Sequence, residues 1–276
     1  MRLFLTTCLV MIAFAANSVL NRMAVFGAGW DPALVGVLRL GAGAVVLCLL
    51  SGMRLRHPPP PAMLALGVAT LFLYIWGFSR ASGRLDAGVG ALTLFGTVQI
   101  TMFGAAVFRK THIPPLRWLG AGMALAGLAV LLWPQGDLRI DMTGLAWMMA
   151  AGMGWGLYSL NGAKARDALT ATAFNFALAT PLALLWWLGA GSPMAGASYG
   201  LWATLASGAI TSGLGYALWY RVLPQIPATQ AALAQLSVPL IAALGGAVFL
   251  AELPGPRFWL AGALVLGGIG LGLLRR

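Results

Sequence analysis

Apolar runs of about 20 residues, the length that carries an α-helix across the hydrocarbon core of a bilayer, follow one another along almost the whole chain. Breaking the sequence at charges, prolines and Gly-Ser clusters gives ten of them, at 3–21, 33–51, 62–80, 87–108, 116–133, 143–162, 169–188, 198–220, 228–250 and 257–274. Backbone groups at that depth have no water to bind, so each run must satisfy its own N–H and C=O groups, as a helix does. Only 8% of the residues are charged, where a soluble domain carries roughly 25%. Ten such spans leave little chain for loops and none for an extramembrane domain, so any function must be built inside the bundle. The opening MRLFLTTCLVMIAFAANS has the layout of a secretory signal, with Arg2 ahead of an apolar core and a small-residue site near Ala15. The run continues past Ala16, however, and is needed as the first of five helices, so it is read as helix 1, uncleaved. Cys8 and Cys48 fall inside spans and are read as packing residues, not as disulfide or metal partners.

Residues 85–132 and 226–273 superpose without a gap at an offset of 141. The matches include Ala87/Ala228, Leu92/Leu233, Ile100/Ile241, the clusters Gly104–Phe108 and Gly245–Phe249, Pro115/Pro256 and the pairs Trp118–Leu119 and Trp259–Leu260. Helices 1 and 6 match more weakly, Ser18…Asn21-Arg22 against Tyr158…Asn161-Gly162. Five spans per half is an odd number, so the second copy enters the membrane from the opposite side. The expected fold is an all-α integral membrane protein of ten transmembrane helices, two inverted five-helix repeats at 1–136 and 137–276. The polar stretch 134–142 is the hinge between them.

The formal net charge of +11 is mainly a topology signal. With ten spans, the N-terminal side carries eleven of the 17 basic residues: Arg2, Arg54, Arg56, Arg109, Lys110, Arg117, Lys164, Arg166, Arg221, Arg275 and Arg276. The opposite side has Arg22, Arg80, Arg84, Arg139 and Arg257. Short loops with this bias place both termini in the cytoplasm, as for a bacterial-type inner membrane protein, and give no reason to expect a nucleic-acid partner.

The segment Ser237-Val-Pro-Leu-Ile, Gly245-Gly-Ala-Val-Phe-Leu-Ala-Glu252-Leu-Pro and Trp259-Leu-Ala-Gly262-Ala-Leu resembles the EamA-type repeat of the drug/metabolite transporter superfamily. It has that repeat's Pro in the fourth helix and its Glu just before the fifth. Arg39, following Pro32 in helix 2, resembles a basic position of the family. The resemblance covers the whole chain as two repeats and implies a ten-helix transporter; within the superfamily it favours the YddG-like exporters of aromatic amino acids. The first repeat departs from the pattern, with Val98 at the Pro position and Thr111 at the Glu position, so Glu252 is read as structural.

All six acidic residues, Asp31, Asp86, Asp137, Asp141, Asp167 and Glu252, fall in loops or at span ends. A carboxylate buried in a span, the usual relay of a proton-coupled carrier, is missing, and the expectation is a facilitator or a carrier with another coupling group. Arg39 is the one full charge within a span, about 10 Å deep at 1.5 Å per residue. Two readings stand for it: a partner for a substrate carboxylate, or a side chain that snorkels to the headgroups or caps carbonyls of a neighbouring helix.

The other candidate substrate-binding residues are neutral: Asn17 and Asn21 on helix 1, Tyr74 and Phe78 on helix 3, Phe95 and Gln99 on helix 4. Helix 6 adds Trp155, Tyr158 and Asn161, helix 8 adds Tyr216, and Gln230 and Gln235 lie at the start of helix 9. On helix 1, Phe14, Asn17, Ser18 and Asn21 share one face. Rings and neutral amides around a cavity suit flat, amphipathic solutes, since rings stack and amides bind polar edges without the desolvation cost of a charge. The competing reading joins helices through the amides and places the rings at membrane interfaces. Divergence between the copies, at Gln99/Leu240 and Leu94/Gln235, points to the same path. Helices 5 and 10 carry glycines and almost no polar groups; they are read as an internal seam, with a dimer face as the alternative.

The expectation is therefore an inner-membrane exporter of amino acids, aromatic ones first, and related amphipathic compounds. It is expected to work as a monomer by alternating access through a central cavity between helices 1, 3, 4, 6, 8 and 9. No cofactor, metal or enzymatic activity is expected, because His57 and His112 both lie in loops and no span holds a nucleophile with a base. A nucleotide-sugar or drug carrier of the same superfamily is the nearest alternative, though phosphates would call for several basic residues along the path.

Overall fold

The computed structural model describes residues 1–52, 58–108, 110, 115–132, 141–192, 194–222, 225–226, 234–235 and 237–273. Among them the chain forms ten helices. These are α1 (Arg2–Arg22, running on into a π-helical turn at Met23–Gly27), α2 (Pro32–Leu50), α3 (Pro61–Ser82), α4 (Ala87–Phe108) and α5 (Pro115–Leu132). The second half supplies α6 (Met142–Gly162), α7 (Ala168–Ala190), α8, α9 (Ser237–Leu250) and α10 (Pro256–Leu273). Helix α8 is compound: α-helical over Ser198–Ala206, π-helical over Ser207–Leu214 and α-helical again over Gly215–Val222. The hinge residues 134–140, His57, His112, Asp137 and Gln230 lie outside the described residues.

Helix starts follow from short polar signals. Asp31 accepts from the N–H groups of Ala33 and Leu34, with Pro32 in the first turn of α2, which is the arrangement that satisfies orphan donors and pre-sets φ. Asp141 accepts from Gly144 at the start of α6, and Asp167 from Leu169 and Thr170 at the start of α7. The N–H of Gly144 and the Arg84 guanidinium, 2.7 Å away, hold the Asp141 carboxyl below its usual range. Asp167 is lowered chiefly by the Thr170 hydroxyl. Within the helices, Thr70, Thr97, Thr172 and Thr204 turn their hydroxyls back to the carbonyl four residues earlier, which removes a bare polar group from an apolar surrounding.

Burial is inverted relative to a soluble protein. Leu5, Leu185, Trp202 and Val248 are each more than half exposed, while Asn21, Arg39, Ser79, Thr93, Ser207 and Ser212 are buried completely. Apolar groups outside and polar groups inside is the arrangement lipid selects. Five stretches, Arg2–Gly27, Pro32–Leu50, Pro61–Ser82, Ala87–Ala105 and Ala168–Ala190, are each long and apolar enough to cross a bilayer unaided.

The helix pairings repeat under exchange of the two halves. Helix α5 packs on α10 and α2 on α7, each against its own counterpart; α3 on α6 is answered by α8 on α1, and α4 on α6 by α9 on α1. A duplicated five-helix unit, with each half packed on its counterpart, gives this pattern. The α5–α10 contact is an internal seam built on glycine. A Cβ on Gly127 would come within 2.9 Å of the Ala261 carbonyl, and one on Gly268 within 2.5 Å of the Gly120 carbonyl. Small residues allow that approach where hydrophobic driving force is absent.

Candidate functional site

Helices α1, α3, α4, α6 and α8 converge on a central cavity lined by Phe14, Asn17, Ser18, Tyr74, Phe78, Leu94, Phe95, Trp155, Thr211 and Tyr216. Trp155 is its hub. Its ring lies 5.0 Å from Tyr74, 5.1 Å from Tyr216 and 5.6 Å from Tyr158, on which it stacks. Phe14 meets Trp155 and Tyr216 edge-on at 6.4 and 5.8 Å. Offset and edge contacts at such distances are the favourable geometries for rings. Glycine brings the hub into place: a Cβ on Gly154 would come within 2.8 Å of both the Thr70 carbonyl and the Tyr74 nitrogen, so α6 lies against the α3 backbone exactly one residue before Trp155.

One wall of the cavity is polar. Asn17 donates to the Tyr74 hydroxyl (3.3 Å) and accepts from the Ser207 and Thr211 hydroxyls (2.6 and 3.1 Å). Asn21 donates to Ser207 (2.8 Å) and accepts from Ser79 (3.4 Å). The π-helical stretch of α8 makes this wall possible. Thr211 lies within this stretch and Tyr216 two residues beyond its end, and both line the cavity; a continuous α-helix, at about 3.6 residues per turn, would turn residues five apart to different faces.

Behind the wall stands Arg39, with no exposed surface. Its Nε donates to the Ser212 hydroxyl (3.1 Å) and its Nη2 to the Tyr74 hydroxyl (2.9 Å). The guanidinium lies 5.1 and 5.2 Å from the ring centres of Tyr74 and Phe78. Its Nη1 has no hydrogen-bond partner among the described residues. Gly208 sets the depth, because a Cβ there would strike the Arg39 carbonyl at 2.5 Å.

As it stands the cavity is nearly closed. Its volume, about 20 Å³ measured to the centre of a water-sized sphere, is room for one or two waters. A smaller cavity adjoins it through Ser18 and Phe78 and reaches Arg22, Ser82 and Asp86. There the path ends on a knot of charge. Arg22 donates through Nε to Glu252 (2.6 Å), through Nη1 to the Ser82 carbonyl (3.0 Å) and through Nη2 to Asp86 (3.2 Å). The other oxygen of Glu252 accepts from the Ala87 N–H (2.7 Å) at the start of α4. These contacts tie the ends of α1, α3, α4 and α9 together at one mouth. Among the described residues no group of three or more His, Cys, Asp or Glu could hold a metal ion.

Comparison with known proteins agrees with this architecture. Residues 142–274 match the EamA-like transporter family. The whole chain is 42% identical over 275 residues to the uncharacterized protein PA1977 of Pseudomonas aeruginosa, covering 100% of this chain and 96% of that one. The chain belongs to the EamA-like transporter family. Two more distant relatives are the uncharacterized transporter YdfC of Bacillus subtilis, 23% identical over 251 residues (87% of this chain, 81% of that one), and the uncharacterized transporter YwfM of the same organism, 29% identical over 157 residues (55% and 52%). A protein known from its crystal structure shares the fold at a TM-score of 0.67 and 20% identity, over 96% of both chains. As an EamA-like protein the chain is a multi-pass membrane transporter of the drug/metabolite superfamily.

Within this EamA-like bundle the residues singled out from sequence fall into three groups. Asn17, Tyr74, Phe78, Phe95, Trp155 and Tyr216 line the central cavity, while Asn21 and Arg39 stand directly behind its polar wall. The others are elsewhere. Tyr158 stacks behind Trp155 and hydrogen-bonds with Thr172; Asn161 donates to the Met63 carbonyl and so joins α6 to the start of α3. Gln99 and Gln235 are half-buried and not among the lining residues. Of the two divergent pairs only Leu94 reaches the cavity, and α9 contributes no lining residue. Arg39 does not snorkel: it is sealed in the bundle interior. Thr211 and Ser212 were not legible as site residues, because their facing depends on the π stretch. Arg22 and Glu252, 230 residues apart in sequence, carried no local signal of their pairing; only the span-end placement of both was readable.

Proposed function

We propose that the protein exports small amphipathic metabolites, aromatic amino acids first, from the cytoplasm across a bacterial-type inner membrane. It does so by alternating access around the central cavity, as a monomer with both termini cytoplasmic. The observation that carries the reading is the cavity lining itself, in which the rings of Phe14, Tyr74, Phe78, Phe95, Trp155 and Tyr216 stand among the neutral polar groups of Asn17, Ser18 and Thr211. Rings stack on an aromatic solute and neutral donors and acceptors hold its polar edge. A chamber this small cannot hold such a solute without moving its walls, and the two repeats, 1–136 and 137–276, supply the parts that rock apart. Nucleotide sugars fit poorly, since a diphosphate would need several free cations and Arg22 is already paired with two carboxylates.

Reconstitution in liposomes tests the proposal. Radiolabelled phenylalanine or tryptophan should equilibrate faster than in empty vesicles, and Trp155→Ala should slow it about tenfold, as loss of one to two ring contacts implies. Flux indistinguishable from empty vesicles for every aromatic amino acid would remove the substrate assignment. Uphill accumulation driven by an imposed pH gradient would replace facilitated with proton-coupled transport.

A further inference from the structure

We infer that the central site takes an aromatic solute with a net single negative charge, and that Arg39 is the residue that reads its carboxylate. The inference rests on the aromatic-cavity reading proposed above and reorders its substrates: aromatic monocarboxylates come first, the zwitterionic aromatic amino acids second, and amines are excluded.

The argument is a charge account of the interior. Arginine stays protonated in proteins, so a buried guanidinium cannot shed its charge and needs an anion or a full set of acceptors. Each described carboxylate is already committed elsewhere. Asp86 and Glu252 belong to Arg22, Asp141 to Arg84 and the start of α6, and Asp31 and Asp167 to the starts of α2 and α7. Arg39 is left with two neutral hydroxyls, two ring faces and an Nη1 that touches no acceptor among the described residues. Arg80 also has a buried Nε without a partner among the described residues, but its side chain is only partly buried, at the end of α3 over the faces of Trp76 and Trp147, and it lines neither cavity.

The place of the open valence matters as much as its existence. Tyr74 and Phe78, the rings against Arg39, are themselves cavity wall. With no described carboxylate among the lining residues, the chamber and its wall carry one positive charge. A monoanion neutralises it, a zwitterion does so while leaving an ammonium unmatched, and a cation adds to it. The fork geometry fits as well. Nε is taken by Ser212 and one Nη2 proton by Tyr74, leaving Nη1 and the second Nη2 proton, the pair that grips a carboxylate side by side. In the closed state Tyr74 and Phe78 screen that edge, and loading swings them aside.

The test uses one ring with three charges, phenylacetate, phenylalanine and phenethylamine, against the full-length protein in nanodiscs, reading dissociation constants by ligand-induced thermal stabilisation. The expected order is phenylacetate tightest and phenethylamine weakest, about 10- to 100-fold apart, the range for hydrogen bonds to a charged group. Arg39→Gln should collapse the order, Arg39→Lys should keep part of it, and Trp155→Ala should weaken all three alike. Equal binding of the three probes, or an order that survives Arg39→Gln, overturns the inference while leaving the aromatic reading intact. Conversely, if acetate binds as tightly as phenylacetate and Arg39→Gln abolishes both, the role of Arg39 stands and the aromatic cavity reading falls. Loss of fold is an independent readout, since an Arg39→Gln protein that keeps its unliganded melting temperature shows that the lost discrimination is not a folding defect.

Discussion

Arg22 and Arg39 are both buried arginines, Arg22 lining the smaller cavity and Arg39 standing behind the wall of the larger one, and the protein treats them in opposite ways. Arg22 is compensated by two carboxylates and a carbonyl drawn from three other segments. Arg39 has two hydroxyls and no carboxylate among the described residues. The difference separates a strut from a site. A charge neutralised by the protein itself holds helices together, whereas one left open costs stability and is worth keeping only for a partner that comes from outside.

The sharpest way to break the comparison is to remove one partner of the Arg22 knot. Glu252→Gln should lower stability by about 3 kcal/mol, because it removes the buried carboxylate of the pair and leaves the Arg22 guanidinium only the exposed Asp86 and the Ser82 carbonyl, read as a fall in melting temperature in detergent. The double change Arg22→Met with Glu252→Met should recover most of that loss, since an apolar pair has nothing to strand. If the double variant is as unstable as the single, the knot is not a closed ionic unit.

Next in size is the polar wall between the two arginines. Asn17→Leu removes the acceptor shared by Ser207 and Thr211 and should cost about 2 kcal/mol, somewhat reduced because Thr211 also reaches the Ser207 carbonyl. An unchanged melting temperature would make that wall a bystander to both arginines. Arg39→Met should leave stability unchanged or raise it by about 1 kcal/mol, because it deletes an uncompensated buried charge. A loss as large as that of Glu252→Gln would erase the distinction and make Arg39 a second strut.

The smallest effect concerns carboxylates outside the knot. Asp141 and Asp167 are lowered below their ordinary range in the folded protein, so the stability they add is present above about pH 4 and is lost as pH falls through their folded values. Asp141→Asn should therefore lower the melting temperature slightly at neutral pH and leave it unchanged at the acid end, which flattens the acid limb of the profile. A profile of unaltered steepness would remove these caps from the acid response.

Much of the fold was legible because its signals are local or periodic. Apolar run length marks helices, the acidic residues fall in loops or at helix ends, and the 141-residue offset marks the duplication. The glycines of helices 5 and 10 read as a seam, and they pack α5 on α10. The site was legible in part. Asn17, Tyr74, Phe78, Phe95, Trp155 and Tyr216 were found because α-helical spacing and lipid avoidance bring rings and amides inward, and they line the cavity. The same rule took in Tyr158, Asn161, Gln99 and Gln235, since a polar or ring side chain avoids lipid equally well by joining two helices or packing behind the wall.

By itself the sequence determined that the chain is an all-helical membrane protein of two opposed halves, because length, hydropathy and duplication are properties of the chain in one dimension. The tertiary structure decided what its charges do. Whether an arginine is neutralised depends on which groups lie within about 3 Å of it, and those came from residues as distant as Glu252 for Arg22 and Ser212 for Arg39. No spacing along the chain encodes that proximity. The π-helical stretch of α8, which turns Thr211 and Tyr216 to one face, is equally a product of packing, since it adds a residue to the turn only where the neighbouring helices make room.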